Sequence, residues 1–442
     1  MSINSYVVKG TIVGALGGLL FGFDTAVISG TTQALTFKYH LSPFLLGVTV
    51  FSALLGTVIA ALSAGIPGQH FGRRDTLRVM AIFYVISALG CAFAWNWPAL
   101  IVFRFIGGLG IGGSSVLGPM YIAEIAPPDW RGRLVGCFQL NVVIGILIAY
   151  MSNYFIGTLH LGAYEWRWQL GVSGIPAFLF LLALFFIPRS PRWLVMQRNL
   201  EESLSVLQLI GVKDAKRELD EIVESVHLER AASKDRLFSR RYAKPIFLAI
   251  TMGMFCQLSG INAILYYLND IFALAGASKL SGDLQAVAVG AMNLVATLLA
   301  MAVIDRIGRR KLLLIGTTGL MVCLVAIAWI FMTHQHMSWL VWLLMAYIAC
   351  FAISQGAVIW VYVSEVFPNR VRSKGQSVGS SAHWITNALI SLIFPVMATS
   401  SGAYPFIFFA AMMALDLFIV FFYYPETTGI SLEKMQHKFG ID

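Results

Sequence analysis

The chain has 442 residues, of which 58% are hydrophobic and only 12% charged, and its mean hydropathy is +0.76. A soluble globular protein carries roughly twice that charged share, because a water-facing surface needs charge and a lipid-facing one is penalised for it. The net charge of +9 sits in short clusters between apolar runs, which argues against a nucleic-acid surface, and no CxxC or HExxH pattern points to a metal.

A spanning helix needs about 20 mainly apolar residues. Twelve such stretches begin near residues 8, 43, 78, 98, 133 and 168, and then 244, 284, 311, 338, 374 and 402. The expected class is an all-α membrane protein. Two six-helix halves, 1–187 and 244–425, flank a linker at 188–243, and a tail follows from 426 to 442. The first stretch is long and runs straight on, so no cleavable signal peptide is expected. Lys9, Arg73, Arg74, Arg78, Arg131, Arg133, Arg306, Arg309, Arg310, Lys311, Arg370, Arg372 and Lys374 all fall on one side of the spans. The positive-inside rule makes that side, both termini and the linker cytoplasmic. Helical periodicity in Glu201–Ile210 and Ala215–Arg230 makes the linker a set of short amphipathic helices.

Asp24 lies inside the first span, where an ionisable residue is costly and usually functional. Arg104, near the start of the fourth span, is its natural partner. Gly108-x-Gly110-x-x-Gly113 matches a dinucleotide fingerprint by letter only, since no strand precedes it. These glycines, and Gly10, Gly14, Gly18 and Gly22 at four-residue spacing, are expected at close helix–helix contacts. Gln69-His-Phe-Gly-Arg73-Arg74 follows the second span, and Asp305-Arg-Ile-Gly-Arg309-Arg310 follows the eighth, offset by 236 positions. Glu124-Ile-Ala-Pro-Pro-Asp-Trp-Arg131 follows the fourth, and Glu365-Val-Phe-Pro-Asn-Arg-Val-Arg372 follows the tenth, offset by 241. Arg pairs bidentately with carboxylates, so these repeats are expected to latch cytoplasmic helix ends together. Duplicated halves with a site between them are a transporter architecture.

Five further segments carry a resemblance. Gly-Gly-Leu-Leu-Phe-Gly-Phe-Asp24-Thr-Ala-Val-Ile-Ser-Gly, Arg104-Phe-Ile-Gly-Gly-Leu-Gly-Ile-Gly, Pro188-Arg-Ser-Pro-Arg192-Trp-Leu, Gln257-Leu-Ser-Gly-Ile-Asn262 and Pro425-Glu426-Thr427 occur in that order. Together they resemble the sugar porter family of the major facilitator superfamily over nearly the whole chain. The resemblance implies a monomeric transporter, without cofactor or catalytic activity, in the bacterial inner membrane. Its partners would be a hexose or pentose, a proton and the bilayer.

The resemblance also implies site residues. Asp24 would be the proton site, because proton-coupled members carry Asp there and facilitative glucose transporters do not. Deprotonated, it would pair with Arg104; protonation would release the pair. Sugar binding would fall to Gln139 in the fifth span, and to Gln257, Asn262, Tyr266 and Tyr267 in the seventh. Asn293 in the eighth, Trp360 in the tenth, and His383, Trp384 and Asn387 in the eleventh would complete it. Amides match hydroxyls, and an aromatic ring provides a floor for the C–H face of a sugar. The pocket departs from the family's xylose–proton symporter: Cys256 and Ile146 stand where that relative has Gln, and His383 replaces a third. His383 is expected to bond substrate, with pH sensing as its alternative. Gln69 replaces an acidic residue of the first loop motif. Asp416, in the twelfth span, matches no family role. An uncoupled facilitator, a polyol carrier and a non-transporting sensor are the competing readings.

Overall fold

The computed structural model describes residues 4–127, 130–232, 237–368, 371–428 and 439, and among these every regular element is helical. Eleven helices are long and apolar enough to cross a membrane. They include Ser5–Val27, Pro43–Ser63, Arg73–Ala92, Trp97–Ile125 and Arg131–Thr158 in the first part of the chain. Lys279–Ile307, Arg309–Thr333, Arg372–Ser400 and Tyr404–Tyr423 are unbroken in the second.

Three expected crossings are broken. The sixth is split into Glu165–Gly171 and Gly174–Ala183. Pro176 has no N–H to donate to the Val172 carbonyl, and glycines flank the gap. The seventh runs as Ala243–Leu258, Ile261–Tyr266 and Leu268–Leu274. Its first break falls at Gly260, where φ is +89° and an added Cβ would lie 2.3 Å from the Phe409 ring. Only glycine satisfies both demands. The tenth is Leu340–Ile353 followed by Gln355–Glu365, broken at Ser354.

Helix starts follow capping chemistry. Asn96 accepts from the Ala99 N–H at 2.8 Å with Pro98 next to it, opening the fourth crossing, and Ser278 accepts from Ser281 to open the eighth.

Packing divides the chain into two compact units. The first comprises 1–24, 52–146 and 167–234. Its core joins Leu77, Tyr84, Leu117, Tyr121 and Phe180. The glycine rows do what their spacing predicts: a Cβ on Gly22 would sit 1.8 Å from the Val142 carbonyl oxygen, and one on Gly108 would sit 1.8 Å from that of Ala53. Gly108→Ala is expected to destabilise by about 1–3 kcal/mol through forced backbone shifts, read as a lower apparent Tm in detergent. The linker helices Pro191–Met196, Leu200–Leu209 and Ala215–Ala232 belong to this unit too. Trp193 donates to the Gln69 carbonyl at 2.8 Å, so Gln69 serves the structure through its backbone.

The second unit comprises 25–51, 147–166 and 235–442. Its core includes Leu248, Met252, Tyr362, Val363, Phe367 and Tyr424. Three polar ties bind the two early segments to the later helices inside this unit. Ser29 donates to Asn269 at 3.1 Å, Tyr150 to the Leu265 carbonyl at 2.9 Å, and Lys279 to Glu165 at 2.6 Å.

Candidate functional site

In the first unit, Asp24 stands near the end of the first helix, and Arg104 projects from the fourth. Arg104 Nη2 lies 3.7 Å from Asp24 Oδ2, with the Arg side chain 3% exposed and the Asp side chain 25% exposed. The separation exceeds a hydrogen bond, so the attraction is that of two close charges not locked in a fork. The buried guanidinium is a permanent cation. Tyr84 and Ser114 line the neighbourhood and bond each other at 3.0 Å. Gln139 is exposed on the fifth helix of this unit.

The second unit holds most of the expected sugar residues, three of them in one polar chain. Asn262 Nδ2 donates to Gln257 Oε1 at 3.1 Å, and Gln257 Nε2 donates to His383 Nε2 at 2.9 Å. The same amide nitrogen also lies 3.4 Å from His383 Nδ1. The His383 ring then meets Trp360 at 5.2 Å and Trp384 at 5.3 Å between centroids. Gln257, His383 and Trp384 are buried, and Trp360 alone is wide open, at 42% exposure. An exposed indole beside a row of hydrogen-bonded amides offers both surfaces of a sugar ring something to match.

A second chain runs beside it. Asn387 donates to the Tyr266 hydroxyl at 3.2 Å, and Ser391 donates to Asn387 Oδ1 at 3.3 Å. Tyr267 departs from the group. Its hydroxyl donates to the Ser391 carbonyl at 2.9 Å, and its ring stacks on Phe394 at 5.1 Å, so both ends serve helix packing. Asn293 is buried in the eighth crossing and shares no hydrogen bond with the others among the described residues. Ser391 carries no sequence signal of its own beyond its spacing, since His383, Asn387 and Ser391 recur every fourth residue on one face. A small cavity beside Ser29, Asn269 and Lys279 touches none of the expected sugar residues.

The repeated loop motifs form matching ion pairs, each inside its own unit. Arg73 reaches Glu124 Oε1 at 2.9 Å and also donates to the Gly68 carbonyl at 2.8 Å. Arg309 reaches Glu365 Oε1 at 3.1 Å and the Ile304 carbonyl at 3.4 Å. Arg74 bonds the Ile187 carbonyl, and Arg131 is exposed at the start of the fifth helix. Arg372 begins the eleventh helix, and the side chain of Asp305 lies outside the described residues.

Glu426 was read only as part of a family motif, and its work is specific. Its oxygens accept from the backbone N–H of Arg309 at 2.9 Å and of Arg310 at 3.1 Å. It thus places a carboxylate on the first turn of the ninth crossing. Burial alone would raise the Glu426 pKa, but donors from Thr428, Arg309 and Thr427 outweigh it and hold the group below its ordinary 4.5. A depressed carboxyl stabilises the fold above its ordinary pKa and loses that contribution only as pH falls through the lower, folded value. Glu426→Ala is expected to cost about 1 kcal/mol at pH 7, as loss of a helix cap does, measured as a drop in apparent Tm that shrinks in acid.

A family profile described as sugar (and other) transporter matches residues 10–439. The D-xylose-proton symporter of Escherichia coli K12 is 34% identical, over 98% of this chain and 96% of its own. The arabinose-proton symporter of Bacillus subtilis is 36% identical, over 98% and 94%. The glucose transport protein of Synechocystis is 34% identical, over 96% and 95%. Among solved structures, the inward-open xylose transporter XylE from Escherichia coli aligns with TM-score 0.87 at 33% identity, covering 98% of this chain and 99% of that one. The same transporter bound to 6-bromo-6-deoxy-D-glucose aligns with TM-score 0.82 at 34% identity, covering 98% and 99%.

Proposed function

This chain belongs to the sugar (and other) transporter family, as a multi-pass membrane transporter and not an enzyme, and from that premise we propose that it carries a monosaccharide inward together with a proton. The halves 1–187 and 244–425 would alternate access to the site, with the linker 188–243 and the Arg-rich loops in the cytoplasm.

The observation that carries the coupling is the Asp24–Arg104 pair: a titratable carboxylate, partly open, held 3.7 Å from a buried permanent cation. Protonation removes the attraction between the two helices and biases the conformational equilibrium, which is what coupling requires. The sugar site is Gln257, Asn262, His383, Asn387 and Tyr266 for the hydroxyls, with Trp360 as the apolar floor. Asn293 and Trp384 supply its remaining wall. The relatives' names point to pentoses and hexoses. Alternating access also requires that the ties of Ser29 to Asn269, Tyr150 to Leu265 and Lys279 to Glu165 part during the cycle. The pairs Arg73–Glu124 and Arg309–Glu365 hold helix ends within each unit as that happens.

The test is to add D-xylose, L-arabinose and D-glucose separately to lightly buffered proteoliposomes while recording external pH. External alkalinisation with one of them is the expected result and names a substrate. Uptake of labelled sugar with no pH change would leave an uncoupled facilitator, and binding without uptake would leave a sensor.

A further inference from the structure

Asp416 has no part in the cycle described so far, yet it is a carboxylate only 3% exposed, midway along the twelfth crossing. Burying such a group is costly unless other groups satisfy it. Two donors do so, from two different helices, and both converge on one oxygen. Gln355 Nε2 donates to Asp416 Oδ2 at 2.7 Å, and Thr317 Oγ1 donates to the same atom at 3.1 Å. Asp416 forms no ion pair among the described residues. The same Gln355 nitrogen also lies 3.5 Å from Thr317 Oγ1 and 3.6 Å from Met413 Sδ, while its buried Oε1 has no hydrogen-bond partner among the described residues.

The position of Gln355 gives this junction its meaning. It is the first residue after the break at Ser354, and it opens the segment Gln355–Glu365 that carries Trp360. At the break the rotation of that segment is set by its own side-chain contacts, since the backbone ladder of Leu340–Ile353 does not run through it. Gly316 lies so close that a Cβ there would sit 2.0 Å from the Ser354 Cβ, and Val358, Ile359, Tyr362 and Val363 seat the segment in the core, so the Gln355 tie acts together with that packing. Five residues at about 100° each separate Gln355 from Trp360, which places them roughly 140° apart around the helix. Gln355 therefore grips the buried side while Trp360 looks out on the other, beside His383 at 5.2 Å.

We propose that Asp416 is a positioning residue: through the Gln355 amide it sets the rotation of the second segment of the tenth crossing, and so aims Trp360 at the sugar. The inference rests on the sugar site proposed above.

The experiment is equilibrium binding of D-xylose, L-arabinose and D-glucose to purified protein by calorimetry, on D416A, D416N, W360F and D416A/W360F. For the sugar that binds wild type, D416A is expected to weaken affinity about tenfold. D416N should bind within twofold of wild type, because its amide oxygen can accept both bonds. The double variant should bind no more weakly than W360F, since a Trp that is already absent cannot be misaimed. Losses that multiply in the double variant, wild-type affinity in D416A, or a D416N as weak as D416A would each overturn the proposal, the last by showing that the ionisable group itself is needed. If D416A does not fold, Q355L cuts the same tie while leaving Asp416 its Thr317 bond, with the same expectations. Wild-type binding in W360F would sink the sugar-site reading and this inference with it. Weak binding in W360F beside normal binding in D416A sinks this inference alone.

Discussion

Asp24→Asn is expected to abolish uphill sugar accumulation while sugar exchange across the same membrane continues. One proton entering down 100 mV supplies about 2.3 kcal/mol, and at 1.36 kcal/mol per tenfold this supports roughly 50-fold accumulation. The asparagine keeps the size and one acceptor oxygen of Asp24 but holds its charge at zero, as though permanently protonated. The pairing with Arg104 at 3.7 Å then no longer depends on pH, and the conformational equilibrium loses its proton-sensitive element. The measurement is labelled-sugar accumulation in energised proteoliposomes beside counterflow with no gradient. Persistent accumulation in the variant would move coupling to another carboxylate. Loss of counterflow together with accumulation would make the pair a requirement for transport itself.

That pair was legible because charge inside a span is rare enough to stand out: Asp24 and Arg104 announce themselves in apolar runs of the sequence. The same holds for the Arg73–Glu124 and Arg309–Glu365 contacts, whose residues stand in repeats offset by 236 and 241 positions. The helix breaks were less legible. Gly260 sits in a visible Gly-containing motif, but Ser354 breaks the tenth crossing with no proline at the break. Least legible were contacts set only by how helices pack. Gln257 and His383 are 126 positions apart, and Gln355 and Asp416 are 61 apart, separations that carry no periodic signal. Tyr267 shows the converse limit. Its place next to Tyr266 in the seventh crossing looks like a second sugar contact, while its hydroxyl and ring are both taken up by the eleventh helix.

Gln257→Ala is expected to raise the KM for the transported sugar by about 30-fold with a much smaller change in maximal rate. Gln257 is the middle of the chain from Asn262 to His383, so truncation removes its own amide and also strips each neighbour of its partner. An orphaned buried polar group costs about 1–3 kcal/mol, and 2 kcal/mol at 1.36 per tenfold gives the expected factor. Freed of Gln257, His383 can turn away from Trp360, so the aromatic floor and the hydroxyl-binding edge cease to be set relative to each other. Uptake kinetics on single-deoxy sugars make the test specific. The analogue lacking the hydroxyl that Gln257 reads should be transported poorly by wild type and lose little more in the variant, whereas other analogues should suffer the full factor. An equal loss for every analogue would mean that Gln257 supports the architecture of the site without reading the sugar. A fall in maximal rate at constant KM would place it in the conformational step, where its bond to His383 on the eleventh helix is what moves.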